Sequence, residues 1–506
     1  MLAKVYTAAL IGLNPQIVEV EIDIQKGLFK FNIVGLGDKA VQESKERVIS
    51  AIKNSTCDFV YKKITVNLAP GGLPKTGPTY DFPIAVGILL ASKQIHFNPD
   101  KSLLLGELSL EGNLRNLNGI LSIADGAKNE GFENIFLPYS NSKEANLIKN
   151  IKVFPVKTLS QFITNSSYKN SFKPLEKEEV KIVPDKNYLY DMKHVQGQKV
   201  AKRALEIAAA GAHNILLTGT PGSGKTLLAK SIPSILPSIT ITESLEITRI
   251  YSIAGLVSHN NPLVRKRPFR NPHHTSSDVA LVGGGTFPKP GEISLAHRGI
   301  LFLDEFPEFS RSALEALRQP MEDNIVTISR ALGTLQFPAN FMLIAAMNPC
   351  KCGWKGDPDR ECTCTQSEYF KYQRKISGPI LDRIDLQIYV PKVKYKNLIS
   401  DKDSESSEKI RQRVQKARNI QIKRYKALNI VANAELRQKD LKKFITLGTR
   451  SKDLLSNALE KLHLSARSYF RILRLSRTIA DLYNSSKVKR THVAEALSYR
   501  LTNGNV

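Results

Sequence analysis

Apolar residues follow three different rhythms along this chain, and each rhythm predicts a different kind of domain. Through residues 1–165, short apolar runs alternate with helix-length stretches. ITVNLAP at 64–70 has the length and β-branched content of a strand. FPIAVGILLAS at 82–92 is apolar on every side and reads as a buried helix, and NIFLP at 134–138 is another strand. Strands and helices interleaved in this way predict a mixed α/β domain. Residues 166–187 are polar, charged and interrupted by proline, as a linker is. A second α/β pattern fills 188–394. There ILLT at 215–218, ILFL at 300–303 and FMLIAAMNP at 341–349 are apolar runs of strand length, the pattern of a buried parallel sheet. After a polar spacer, SDKDSESSEK at 400–409, residues 410–506 carry Leu, Ala, Lys and Arg at helical spacing and predict an all-helical third domain.

Chemistry enters where the strands of the second domain end. ILLT runs into GTPGSGKT at 219–226, which satisfies G-x-x-x-x-G-K-[ST] in full, and LLAKSIPSIL behind it reads as a helix. In the loop Gly219, Thr220, Pro221, Gly222, Ser223, Gly224, the glycines let the backbone curl so that N–H groups face phosphate oxygens at a helix N-terminus. Lys225 then reaches the β- and γ-phosphates of a nucleoside triphosphate, and Thr226 offers a hydroxyl to Mg²⁺. ILFL ends in Asp304 and Glu305, at the carboxyl edge where such sheets bind ligands. Asp304 suits the Mg²⁺ shell, and Glu305 suits orienting or deprotonating a water for attack on the γ-phosphate. Asn348, at the tip of the third strand, is either a γ-phosphate or water contact or an ordinary turn residue. Arg383 stands just before a further strand in GPILDRIDLQIYV at 378–390. It is either a donor to phosphoryl-transfer charge or the partner of Asp382 or Asp385 in a structural salt bridge.

Composition narrows the classes. The 506 residues suit two or three domains at roughly 150 residues each. Lys and Arg outnumber Asp and Glu by 73 to 47, a formal net charge of +26, which favours a polyanionic partner such as nucleic acid or an acidic membrane surface. No apolar run approaches the roughly 20 residues of a membrane span, and the N-terminal stretch lacks the features of a signal peptide. No membrane role is expected. Five cysteines do not make a disulfide scaffold and read as reduced thiols of a cytoplasmic protein.

GTPGSGKT, LFLDEF, AAMNP, ILDRIDL and the later SARSYFRILRLSRTIADL together resemble the AAA+ ATPases of the magnesium-chelatase-like branch, in wording most like the ComM/YifB family. FRNPHHTSSDVALVGGGTFPKPGEISLAHRG at 269–299 is similar to that family's insertion before the second acidic motif, and the resemblance covers nearly the whole chain. It implies ATP and Mg²⁺ as cofactors and an AAA+ P-loop domain followed by a helical lid. It further implies a homohexameric ring acting on single-stranded and branched DNA as a branch-migration helicase in natural transformation. Arg383 would be the arginine finger acting on the neighbouring subunit's ATP, and Arg467, in SARSYF, the second sensor of nucleotide phosphates. The first domain looks like the Lon-protease fold. The serine of that protease's motif falls at Thr79 in GPTYD, and its lysine falls near Leu121 to Ile123 in GILSIADGAK, so no Ser–Lys dyad is present. This implies a non-proteolytic module that binds DNA or organises the ring. Two other readings stay open: the motor subunit of a magnesium chelatase and an ATP-dependent protein-remodelling factor.

Several loops remain. Cys350, Cys352, Cys362 and Cys364 in NPCKCGWKGDPDRECTC form a C-x-C…C-x-C pattern that can close tetrahedrally on Zn²⁺ or stand as free thiols. His273 and His274 would point to opposite sides of an extended segment, so a loop role is expected. Lys289, with Phe287, lies in the flexible GGGTFPKPGEI at 283–293, and Arg330 lies on one arm of a hairpin, TISRALGTLQFP at 327–338. Both are candidate DNA contacts. The basic stretch at 410–429 is either a solvated helix face or a phosphate-backbone contact.

Overall fold

The computed structural model describes residues 1–167, 171–177, 182, 188–285, 288–330, 333–393, 404–428, 430–461 and 465–500. Most of the linker thus lies outside the described residues, as do Phe287 and the hairpin turn at Ala331 and Leu332. The chain forms two compact units, Met1–Ile182 with Ile241–Val264, and Val183–Thr240 with Arg265–Val506.

The first unit is built on a seven-stranded mixed sheet. From edge to edge the strands are Lys30–Val34, Lys63–Ala69, Asn14–Gln25, Leu2–Ile11, Ser102–Leu104, Asn134–Pro138 and Lys152–Val156. Asn14–Gln25 is antiparallel to both its neighbours, with Val5 opposite Val20 and Val20 opposite Leu68, and the other pairings are parallel. Its alternation sends Val18, Val20, Ile22 and Ile24 into one core with Phe82, Ile84 and Phe162. Helix Asp81–Ala91, nearly all of it buried, fills that core, which explains why its sequence has no polar face. The opposite sheet face packs Ala8, Leu103 and Ile135 against Leu121 and Ala124 of helix Ile120–Asn129. Leu121 is fully buried on that helix, and Thr79 sits in the short turn Pro78–Tyr80.

Helix Ile241–Ile253 groups with this first unit, although its position in the chain had placed it within 188–394. Side-chain chemistry accounts for the difference. Arg249 pairs with Asp125 at 2.6 Å, the Ser252 carbonyl accepts from the Gly119 N–H at 3.2 Å, and the Ser252 hydroxyl donates to the buried Glu144 carboxyl. Burial pushes the Glu144 pKa up.

The second unit carries a five-stranded, all-parallel sheet ordered Phe269–Arg270, Ile300–Leu303, Met342–Met347, Ile215–Thr218, Leu386–Tyr389. The first of these strands in sequence, Ile215–Thr218, lies between the last two, so the strand order reverses beside it. Ligands of open α/β sheets bind at such a switch point. The C-terminal helices Ser407–Arg424, Thr449–Lys461, Ala466–Leu482 and Arg490–Ser498 share a single apolar core with this sheet, Val414 and Ile479 joining Ile207, Ile215 and Leu217. Among the described residues of 410–500 the named elements are therefore all helical, but they are not a separate compact unit.

Much of the charge on the basic helix turns inward. Arg413 pairs with Glu206 at 2.5 Å, Arg424 donates to Asp481 at 2.9 Å, and Arg418 donates to the Ala209 and Ala210 carbonyls. The last contacts satisfy carbonyls at the end of helix Lys199–Gly211. Lys409, Lys416 and Lys423 stay exposed, seven residues apart and so near one line along the helix.

Candidate nucleotide site

Strand Ile215–Thr218 is buried throughout and delivers its C-terminus to the glycine-rich loop, after which helix Lys225–Ser231 begins. Gly222 and Gly224 hold φ of 77° and 89°, the left-handed region that lets the loop wrap. Lys225 is buried and donates to the Gly219 carbonyl at 2.6 Å, the Thr220 carbonyl at 3.0 Å and Asn348 Oδ1 at 3.2 Å. Burial pulls its ammonium down to about 8, against the pull of Asp304 in the other direction. Thr226 donates its hydroxyl to Asp304 Oδ2 at 2.8 Å. The tips of three adjacent strands thus converge on one helix N-terminus.

The donor set fits a magnesium triphosphate. Among the described residues, the buried Thr220 and Ser223 hydroxyls have no hydrogen-bond partner, an unsatisfied pair inside the loop that would hold the phosphates. Thr226 and Asp304 together supply the hard oxygen ligands that Mg²⁺ takes in small number alongside substrate phosphates.

Glu305 takes φ 51°, unusual for a residue with a Cβ, and its side chain is 57% exposed. Its carboxylate lies 3.1 Å from His274 Nδ1. The sequence offered no partner for Glu305, and the expectation that His273 and His274 diverge is corrected here. The chain turns at this point, with the Ser276 N–H donating to the His273 carbonyl at 2.9 Å, and the two rings lie 4.2 Å apart at 32°. The two-residue strand Phe269–Arg270 pairs beside Ile300–Leu303, and this brings the following segment to Glu305. So short a strand leaves no periodic signal in sequence.

Arg383 and Arg467 gather elsewhere. Arg383 is buried, donates to the Pro379 carbonyl at 2.9 Å and ion-pairs with Glu322, which also stands 3.9 Å from Arg467. Neither Asp382 nor Asp385 is its partner: Asp385 pairs with Arg471 at 3.1 Å and lies 3.4 Å from His213. Arg383, Arg437, Arg467, Arg471 and Arg474 line a cavity of about 440 Å³ with Glu322. Among the described residues, neither Arg383 nor Arg467 bonds to Lys225, Thr226, Asp304 or Asn348. Glu322 was not singled out from sequence, because nothing local marks it.

Three family models match in order along the chain: Subunit ChlI of Mg-chelatase at residues 20–141, Magnesium chelatase, subunit ChlI, at 191–398, and Magnesium chelatase, subunit ChlI C-terminal, at 404–500. Competence protein ComM of Haemophilus influenzae is 42% identical over 507 aligned positions, covering 99% of this chain and 97% of that protein. YifB of Escherichia coli is 41% identical over 505, with the same coverage. The chain belongs to the ComM/YifB family of magnesium-chelatase-like AAA+ proteins. Similarity to the Magnesium-chelatase 67 kDa subunit of Chlorobaculum parvum is narrower, 26% over 159 residues and 31% of this chain.

In this ComM/YifB chain, the central matched range holds the phosphate loop, both acidic residues, Asn348 and Arg383, and the last range holds Arg467. The remaining candidates also fall in the central range. Lys289 is exposed on a short antiparallel pair, Gly283–Gly284 with Lys289–Pro290. Arg330 ends the strand Ile325–Arg330, opposite Gly333 of the strand Gly333–Pro338, and only its backbone is described. The Sγ atoms of Cys350, Cys352, Cys362 and Cys364 all lie within 4.8 Å of one another. No helix among the described residues is long and apolar enough to cross a membrane.

Proposed function

We propose that this chain is an ATP-hydrolysing AAA+ motor that works as a homohexamer on single-stranded and branched DNA, a helicase promoting branch migration during natural transformation. The observation that carries the reading is the convergence of Lys225, Thr226, Asp304 and Asn348 on one helix N-terminus, with Glu305 next to Asp304 at the tip of the same strand. The amides of residues 222–226 and Lys225 would hold the phosphates, and Thr226 and Asp304 would hold Mg²⁺, which would supply charge neutralisation to them. Glu305 would accept the proton of the attacking water once its carboxylate turns from His274. Arg383 and Arg467 both reach Glu322, and among the described residues neither bonds to Lys225, Thr226, Asp304 or Asn348. That placement supports their use on a neighbour's nucleotide, and therefore a ring. The net charge of +26 and the competence name of the Haemophilus relative support DNA as the partner.

A second reading, the motor subunit of a magnesium chelatase, is favoured by the descriptions of the three matching family models. ATP hydrolysis measured with and without single-stranded and branched DNA, in wild type and Glu305→Gln, separates the two. Stimulation by DNA that vanishes in the variant supports the DNA motor. Intact nucleotide binding with no response to DNA moves the reading to the chelatase or to protein remodelling.

A further inference from the structure

Residues 350–364 leave strand Met342–Met347 just past Asn348 and return to helix Gln366–Gln373. Their four sulfurs are crowded. Cys350 Sγ lies 3.3 Å from Cys352 Sγ and 3.6 Å from Cys362 Sγ, and Cys352 and Cys362 are 3.5 Å apart. A disulfide needs about 2.05 Å, so these are not bonded pairs. A tetrahedron of Zn–S bonds of about 2.3 Å has sulfur–sulfur edges of about 3.8 Å, close to what is observed. The Cys352 N–H also donates to Cys364 Sγ at 3.3 Å, the kind of outer contact that offsets thiolate charge around a metal.

The loop is braced on its outside. Arg360 stacks over Trp354, Lys355 over Tyr369, and Lys392 pairs with Asp359 at 2.7 Å. Thr365, next to Cys364, caps the returning helix through a reciprocal pair with Glu368. Its inner side lies on the phosphate loop. Gly353 has φ 87°, and a Cβ there would stand 2.8 Å from Pro221 Cγ and 3.9 Å from Asn348 Cγ.

We propose that Cys350, Cys352, Cys362 and Cys364 bind one Zn²⁺ as a closed four-thiolate site, and that this knuckle, through Gly353, holds Pro221 and so sets the shape of the nucleotide loop. Four thiolate ligands in tetrahedral array select Zn²⁺ over the oxygen-seeking Mg²⁺ of the neighbouring site. Binding four thiols gives a Zn–thiolate complex of charge −2 and releases four protons to solvent. With no open position the metal activates no water, so its role is structural. The coupling half rests on the nucleotide reading above, whereas the metal half does not.

Elemental analysis of the full chain, purified without chelators, is expected to find about one zinc per chain. Cys362→Ser with Cys364→Ser is expected to lose it, and Cys57→Ser to keep it. Should the double variant fail to fold, an organomercurial titration of wild type, read by a colorimetric zinc indicator, is expected to release one equivalent. Wild type holding less than about 0.2 zinc per chain overturns the site. For the coupling, Gly353→Val is expected to keep its zinc while binding a fluorescent ATP analogue about tenfold more weakly, equivalent to about 1.4 kcal/mol. Full zinc with unchanged nucleotide affinity overturns the coupling. Zinc in a wild-type chain that binds no nucleotide overturns the proposed function and the coupling but supports the metal site.

Discussion

Asp385 shows how much a single buried charge can hold in place. It accepts from the Asn214 N–H at 3.1 Å, pairs with Arg471 at 3.1 Å and lies 3.4 Å from His213. Burial alone would push its pKa up, but Arg471, His213 and Arg474 reverse this and hold the carboxyl well below the usual range. A carboxyl lowered in the folded state contributes stability above its unfolded pKa of about 3.9, and that contribution fades as pH falls through the folded value. Asp385→Asn is therefore expected to cost about 3–5 kcal/mol near neutral pH, because the half-buried Arg471 is left without its partner. The cost should shrink in strong acid. Urea unfolding at neutral pH and at about pH 3 checks this, and a neutral-pH loss under about 1 kcal/mol would sink it. At the nucleotide site, Glu305→Gln keeps the shape but removes the base. It is expected to bind nucleotide normally and to turn over about 10²–10⁴-fold more slowly in single-turnover assays.

Among the elements, the two hairpins and the basic helix test how DNA is met. Lys289→Ala and Arg330→Ala are each expected to weaken DNA binding and to reduce the slope of log affinity against log salt by about one. A salt titration of binding that leaves both slopes unchanged would show that the hairpins pack only on their own domain. These elements also mark what the sequence discloses. GTPGSGKT, the apolar strands behind it and the buried helix at 82–92 were legible because their signals are local: a loop that must curl, strands covered on both faces, a helix without a polar side. The inward turn of Arg413, Arg418 and Arg424 was not legible, since periodicity marks a basic helix without saying that Glu206, Ala209, Ala210 and Asp481 await it from distant segments. Glu322, and the pairing of His274 with Glu305, were not legible for the same reason: each matters through a partner far along the chain or on a neighbouring strand.

At the scale of the whole molecule, a ring can be tested by complementation. On the proposed ring, Lys225→Ala would lose its hold on phosphate and Arg383→Ala its service to a neighbour, so each alone is expected to be inactive. Mixed, they should regain measurable ATPase, because a sound phosphate loop from one chain then meets a sound arginine from another. No recovery across a range of mixing ratios would mean that Arg383 acts within its own chain or only structurally. The excursion of residues 241–264 has a different consequence. The chain leaves the unit that holds the phosphate loop, lays Leu245 against the core of the unit that holds the first strand, and then returns. The two units are stitched by the backbone itself, so no single cut separates them. A gene fragment beginning after residue 182 would still encode that helix, stripped of Asp125 and Glu144 and with its apolar side bare. Evolution by domain shuffling, and engineering by truncation, would both have to move this helix together with the half of the protein that precedes it.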